Sequence, residues 1–342
     1  IVSRDWSSDV CSSDLVMCKI MVMAGINNKN RQLALEFTKL MAKQLTPGNS
    51  DGLGYAAVTA KGNLFGERWL NNSDAFVNRP VNNALSTQEQ ALVDKYQGFL
   101  IPEIPPPVYN SFGEIEQDKL VAITLHTRLA TSGKEFVNTH PFVLSDTSLI
   151  HNGVISNASD LKMIQSTCDS EAILNEYVDN NVANVPENIQ KVAGKLQGYY
   201  ACGVFSKSKR NGLILDLFKC SRAVLDAAYI VDLKTVVFSS RLSDIVAVCK
   251  QMGMEIGRTF KVNDNMMLRL DPVSGEVIRT EGFESVGFQR PGYSGFTRAQ
   301  RREIRRRLRN WEEQKSEPTN SDDAPKPVDY YDVYTGSIAD WG

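Results

Sequence analysis

The residues best suited to chemistry are concentrated in a short part of the chain. Its three histidines, His126, His140 and His151, fall within 26 residues. They lie in the segments His126-Thr127-Arg128-Leu129-Ala130-Thr131-Ser132-Gly133, Asn138-Thr139-His140-Pro141 and His151-Asn152-Gly153, with Asp169-Ser170-Glu171 shortly after. A metal site needs ligands presented together, as from successive turns of one helix. Spacings of 14 and 11 residues offer no such geometry, and no carboxylate is placed to complete a set, so no metal is expected. A Ser/His/Asp hydrolase would be supported by a G-x-S-x-G elbow, which the chain lacks. A further candidate is Cys18, which directly follows Met17. Translation from Met17 and removal of that methionine would make Cys18 the first residue. Residues 1–17 carry Ser-Ser-Asp twice and no hydrophobic period, and read as an artefactual or cleaved extension.

These motifs, in this order and after a Met-Cys pair, resemble those of the class II glutamine amidotransferases. The resemblance covers about 18–280, including Gly198-Tyr199-Tyr200 and Phe238-Ser239-Ser240. It implies an α+β fold, the four-layer αββα sandwich of N-terminal-nucleophile hydrolases. It also implies hydrolysis of L-glutamine to glutamate and ammonia through a Cys18 thioester. A thiol with a pKa of about 8.5 is only partly ionised at neutral pH, and the α-amine of an N-terminal cysteine, near 8, can relay its proton. By the same resemblance the Asn152 side chain and the Gly153 N–H receive the oxyanion. Arg128 clamps the substrate carboxylate with its planar fork, and Asp169 pairs its ammonium. Thr131 and Ser132 complete the pocket, while His126, His140 and His151 orient loops. No cofactor is implied. Lys19 stands where the family often has Gly, and Leu129 where it often has an aromatic residue. Gly48-Asn49-Ser50-Asp51-Gly52 lacks the Arg-Gly that many members carry before the turn.

The elements expected to position these residues follow from hydrophobic pattern. Residues 18–26 read as a buried strand, and 31–45 as a helix with apolar spacing at Leu33, Leu35, Phe37, Leu40, Met41 and Leu45, stopped by Pro47-Gly48. Strands are expected at 52–60 and 121–128, a helix near 86–96, and a proline-rich connector at 101–109. Residues 147–155 read as two short strands around a His151-Asn152-Gly153 hairpin turn. Helices are expected at 170–182, 186–196 and 242–252. Strands are expected at 199–206, 213–219, 227–231, 235–239 and 266–280.

Composition bounds the rest. The 342 residues hold 38 Lys+Arg and 40 Asp+Glu, with 42% apolar and 23% charged residues, an ordinary globular mix. No run reaches the roughly 18–20 apolar residues of a membrane span. Cys11, Cys18, Cys168, Cys202, Cys220 and Cys249 form no C-x-x-C pair, which suits free thiols and a cytoplasmic setting. Residues 18–285 read as one domain and 286–342 as a tail: 290–315 carry nine Lys/Arg against three Asp/Glu, and 316–342 one against six. A helix at 298–309 would gather arginines, but without interleaved aromatics nucleic acid is not the expected partner. The acidic end, with Pro318, Pro325 and Pro327, is expected to be disordered. So short a tail leaves no room for a second catalytic domain, and the ammonia acceptor is expected on a separate synthase or ligase chain. Two alternatives stand beside this reading: an amidase acting on a γ-glutamyl compound or other small amide, and a non-catalytic binding domain.

Overall fold

A computed structural model describes residues 18–27, 29–70, 108–109, 115–116, 119–130 and 135–286. The helix expected at 86–96, Thr131 and Ser132, the extension 1–17 and the tail beyond 286 lie outside the described residues. The strands are β1 (Lys19–Ala24), β2 (Gly52–Thr59), β3 (Leu64–Trp69), β4 (Val108–Tyr109), β5 (Ile115–Glu116), β6 (Leu120–Arg128), β7 (Phe142–Leu144), β8 (Thr147–Ile155), β9 (Gly198–Ser208), β10 (Gly212–Lys219), β11 (Asp226–Ile230), β12 (Thr235–Ser239), β13 (Ile256–Lys261), β14 (Met266–Leu270) and β15 (Val277–Gly282). The helices are α1 (Arg31–Leu45), α2 (Asp169–Asp179), α3 (Ile189–Ala193) and α4 (Leu242–Met252).

Two antiparallel sheets dominate. The first runs β13-β11-β12-β1-β6-β2-β3 and the second β15-β14-β10-β9-β8-β7, while β4 and β5 form a separate pair. The central strand β1 explains the layering. All six of its residues are buried, because alternate side chains enter different cores. Ile20, Val22 and Ala24 face a core shared with β8, β9 and α2. Met21 and Met23 face a second core with Phe37, Met41 and Leu45 of α1 and Ile245 and Val248 of α4. A strand covered on both faces reads as a continuous apolar run, which is what residues 20–24 are. Helix α2 packs on β7 and β8, on the second sheet.

Several sequence expectations need correction. Residues 147–155 form one strand, not a hairpin, paired with β9 from Thr147↔Ser206 to Ile155↔Gly198. Residues 266–280 are not one strand: they contain β14 and most of β15, joined by a turn in which Gly275 has φ +77°. The helix expected at 186–196 is a 3-10 turn at Pro186–Asn188 followed by the five-residue α3. In the proline-rich connector, Val108–Tyr109 is strand β4.

Candidate functional site

The site gathers where the start of β1, the end of β6, the C-terminal half of β8 and the start of α2 meet. Cys18 precedes β1, and its Sγ lies 3.6 Å from the Leu129 carbonyl oxygen. Burial pushes its thiol up to about 11, against the pull of the Leu129 contact and of the Arg128 charge. Asp169 adds to the upward shift, so both Arg128 and Asp169 act on this sulfur. With residue 17 attached, Cys18 has an amide instead of an α-amine, and a thiol shifted this far is almost wholly protonated at neutral pH.

Arg128 ends β6 and is 3% exposed. Its carbonyl accepts the Asp51 N–H at 3.0 Å, while Asp51 Oδ2 accepts the Ala130 N–H at 2.9 Å. This clasp closes the chain just past the arginine. Asp169 is the first residue of α2, and its Oδ2 accepts the Ile155 N–H at 2.6 Å, fixing the helix start to the end of β8. Glu171, in the first turn of α2, accepts the N–H groups of Ile164, Gln165 and Ser166 and the Ser166 hydroxyl, which holds its carboxyl low despite burial. Asn138 and Thr167 exchange two hydrogen bonds, so the Asn-x-His-Pro segment grips the loop that leads into α2. The reading from sequence gave Glu171 and Asn138 no role. Asn138 bonds a partner 29 residues away that no local pattern reveals, whereas Glu171 closes a loop onto residues just five to seven positions before it.

The three histidines form one buried cluster. The His126 and His140 rings stack with centroids 3.8 Å apart, and His151 lies 6.4 Å from His140. His126 Nε2 is 3.1 Å from the His151 carbonyl, an acceptor only, so this nitrogen carries the proton. His151 Nδ1 is 2.9 Å from Ser170 Oγ. Burial lowers all three ring pKa values. For His126 and His140 the neighbouring histidines and Arg128 lower them further, while Asp169 opposes the shift at His151. All three stay neutral at neutral pH.

Asn152 and Gly153 sit inside β8. Asn152 Nδ2 donates to Ser240 Oγ at 3.1 Å. Gly153 has φ +154°, and a Cβ there would stand 2.1 Å from the Tyr199 carbonyl oxygen. Glycine is therefore required by the close approach of β9, not by a turn. The Ile155 N–H and His151 carbonyl both point away from β9 to partners on α2 and β6. Ladder alternation sends the Gly153 N–H to that same side. Among the described residues no His/Cys/Asp/Glu group could hold a metal ion, and no helix is long and apolar enough to cross a membrane.

No family model matches the chain. The glutamine–fructose-6-phosphate aminotransferase (isomerizing) of Aliivibrio fischeri is 34% identical over 101 residues, covering 26% of this chain and 17% of that enzyme. The enzyme of the same name from Francisella tularensis subsp. tularensis is 34% identical over 95 residues, 24% of this chain and 15% of that enzyme. The chain thus spans less than a fifth of the length of these curated relatives. Among solved structures, glutamine phosphoribosylpyrophosphate amidotransferase from B. subtilis superposes with a TM-score of 0.51 at 15% identity, covering 78% of this chain and 49% of that one. The structure of the allosteric regulatory enzyme of purine biosynthesis gives 0.50 at 15% identity, with the same coverage. The chain is thus similar in sequence, over about a quarter of its length, to glutamine–fructose-6-phosphate aminotransferases, and it shares its fold with a glutamine phosphoribosylpyrophosphate amidotransferase.

Proposed function

We propose that the chain hydrolyses L-glutamine to glutamate and ammonia with Cys18 as nucleophile. The observation that carries this reading is the convergence of motifs separated along the chain: Cys18 Sγ meets the Leu129 carbonyl just past Arg128, and one hydroxyl, that of Ser240, joins the Ile20 N–H to the Asn152 side chain. Cleavage before Cys18 exposes an α-amine beside the thiol. The amine takes the thiol proton as Sγ bonds to the side-chain amide carbon of glutamine, and the carbonyl oxygen becomes an oxyanion. The Asn152 side-chain amide and the Gly153 N–H receive that charge, where one well-aimed donor is worth roughly 100- to 1000-fold in rate. The C–N bond breaks, the proton passes from the amine to the leaving nitrogen, and ammonia departs. Water adds to the thioester, glutamate leaves, and the thiol regains its proton.

Arg128 holds the substrate carboxylate, and Asp169 its ammonium, with the second Asp169 oxygen tied to Ile155. Thr131 and Ser132 extend the pocket. The two sheets with helices on their outer faces support the αββα sandwich of N-terminal-nucleophile hydrolases. Ammonia is consumed by a synthase or ligase on another chain, and the free thiols at Cys168, Cys202, Cys220 and Cys249 suit a cytoplasmic setting.

The test is an ammonia-release assay on the chain beginning at Cys18. It is expected to turn over L-glutamine, Cys18→Ala to lose about 10⁴-fold or more, and the chain retaining residue 17 to be inactive. Equal release from the wild type and the Cys18→Ala variant would end the proposal.

A further inference from the structure

Ser240 lies between β12 and α4, far in sequence from every residue given a role above. Its Oγ accepts two hydrogen bonds. One comes from the Ile20 backbone N–H at 2.9 Å, two residues after Cys18, and the other from Asn152 Nδ2 at 3.1 Å. The Ile20 carbonyl is held from the same side, accepting the Ser240 N–H and the Ser239 hydroxyl, each at 3.1 Å. The backbone of Ile20 is thus gripped by one Ser-Ser pair. Ladder pairing between β1 and β12 runs from Met21↔Ser239 onward into the strands. Beyond that last pair the chain turns away toward α4, and the Ser240 hydroxyl supplies the acceptor that the departing strand cannot.

The second bond matters for chemistry. A carboxamide is planar, so fixing one of its two N–H groups fixes the direction of the other. Asn152 is 6% exposed and its Oδ1 makes no hydrogen bond among the described residues, so Ser240 is the partner seen to orient this amide. The same hydroxyl therefore sets the angle of a side chain on one sheet and the height of the strand that begins after Cys18 on the other.

We propose that Ser240 is a positioning residue of the hydrolytic site, aligning the Asn152 amide with the Cys18 sulfur through one hydroxyl oxygen. This rests on the glutaminase reading. Ser240 touches neither substrate nor sulfur. Removing its hydroxyl misdirects the oxyanion donor without touching the substrate clamp, so it acts on kcat and spares KM.

The experiment compares Ser240→Ala and Ser240→Thr in the chain beginning at Cys18, with L-glutamine as substrate. Ser240→Ala is expected to lower kcat about 10- to 100-fold, less than the loss of a donor itself, with KM within about twofold. Ser240→Thr, which keeps the hydroxyl, is expected to restore most of the rate. An active wild type with Ser240→Ala equally fast, or with KM rising in step as kcat falls, overturns the role of Ser240 alone; an inactive wild type overturns the glutaminase reading and this role together. If Ser240→Ala does not fold, the wild type still decides. The two Asn152 amide protons, assigned by their disappearance in Asn152→Asp, should exchange with solvent at clearly different rates. Equal fast exchange refutes the bond.

Discussion

Two buried polar clusters in this molecule are built on opposite principles. Around Asp216, both carboxylate oxygens and every guanidinium nitrogen have a partner. Arg269 Nε and Nη2 reach its two oxygens at 2.8 and 2.7 Å, and the Tyr177 hydroxyl donates at 2.6 Å. Arg269 Nη1 also donates to the Ala183 carbonyl and Nη2 to the Val182 carbonyl. Arg269 and Asp216 are 1% and 0% exposed, and the cluster ties β10, β14 and α2 together. Around the histidines, polar atoms are left over. His126 Nδ1, both ring nitrogens of His140 and Asn152 Oδ1 have no hydrogen-bond partner among the described residues. Buried polar groups are nearly always satisfied in proteins, and exceptions gather where structure yields to function. The first cluster is an internal brace. The second is a place where groups are held in readiness.

That contrast can be broken or sharpened by measurement. The largest effect on stability is expected in the brace. Asp216→Ala strands a buried guanidinium and should cost about 3–5 kcal/mol of unfolding free energy, while the fraction that remains folded keeps its specific activity. A loss below about 1 kcal/mol in chemical denaturation would make the brace ornamental. Gly153→Ala comes next, because its Cβ must push the β9 backbone away. We expect a loss of about 1–3 kcal/mol together with abolished turnover, read by melting and ammonia release on one preparation. Full activity there would remove Gly153 from the site.

The smallest effect of a single substitution is expected at a histidine, through pH. The histidines have folded pKa values below their unfolded value of 6.5. The unfolded chain therefore binds more protons as pH falls through about 6.5, and stability is lost in that direction. Each histidine that stays neutral in the fold adds up to about 1.4 kcal/mol per pH unit. Resistance to urea should thus weaken from pH 7.5 to 5.5, and His140→Gln should flatten the dependence. Equal midpoints for the wild type at both pH values would contradict it.

How much of this could be read in the sequence depended on the range of the forces involved. The strand β1 and the helices α1 and α4 announce themselves by continuous or periodic apolar residues, since their burial is local in pattern. Strand β13, with Arg258 and Thr259 exposed, has no such pattern and is held by its pairing with β11. Asn152-Gly153 has the composition of a turn, yet the glycine serves an approach between strands that only the fold creates. The site residues were recognisable as motifs. What connects them was not: the Asn138–Thr167 and Ser240–Asn152 bonds join residues 29 and 88 positions apart.

The place of β1 in its sheet has a consequence for synthesis. This strand leaves the ribosome before the rest of its sheet, yet its neighbours are β6 and β12, and the bond from Ile20 to Ser240 spans 220 residues. Contacts of such separation close late, after the intervening chain has been ordered. The strand that follows Cys18 must therefore wait until the sequence through Ser240 has emerged, so a nascent chain cannot assemble this region early. Chain order itself acts as a timer, delaying the candidate site until most of the described fold exists to enclose it.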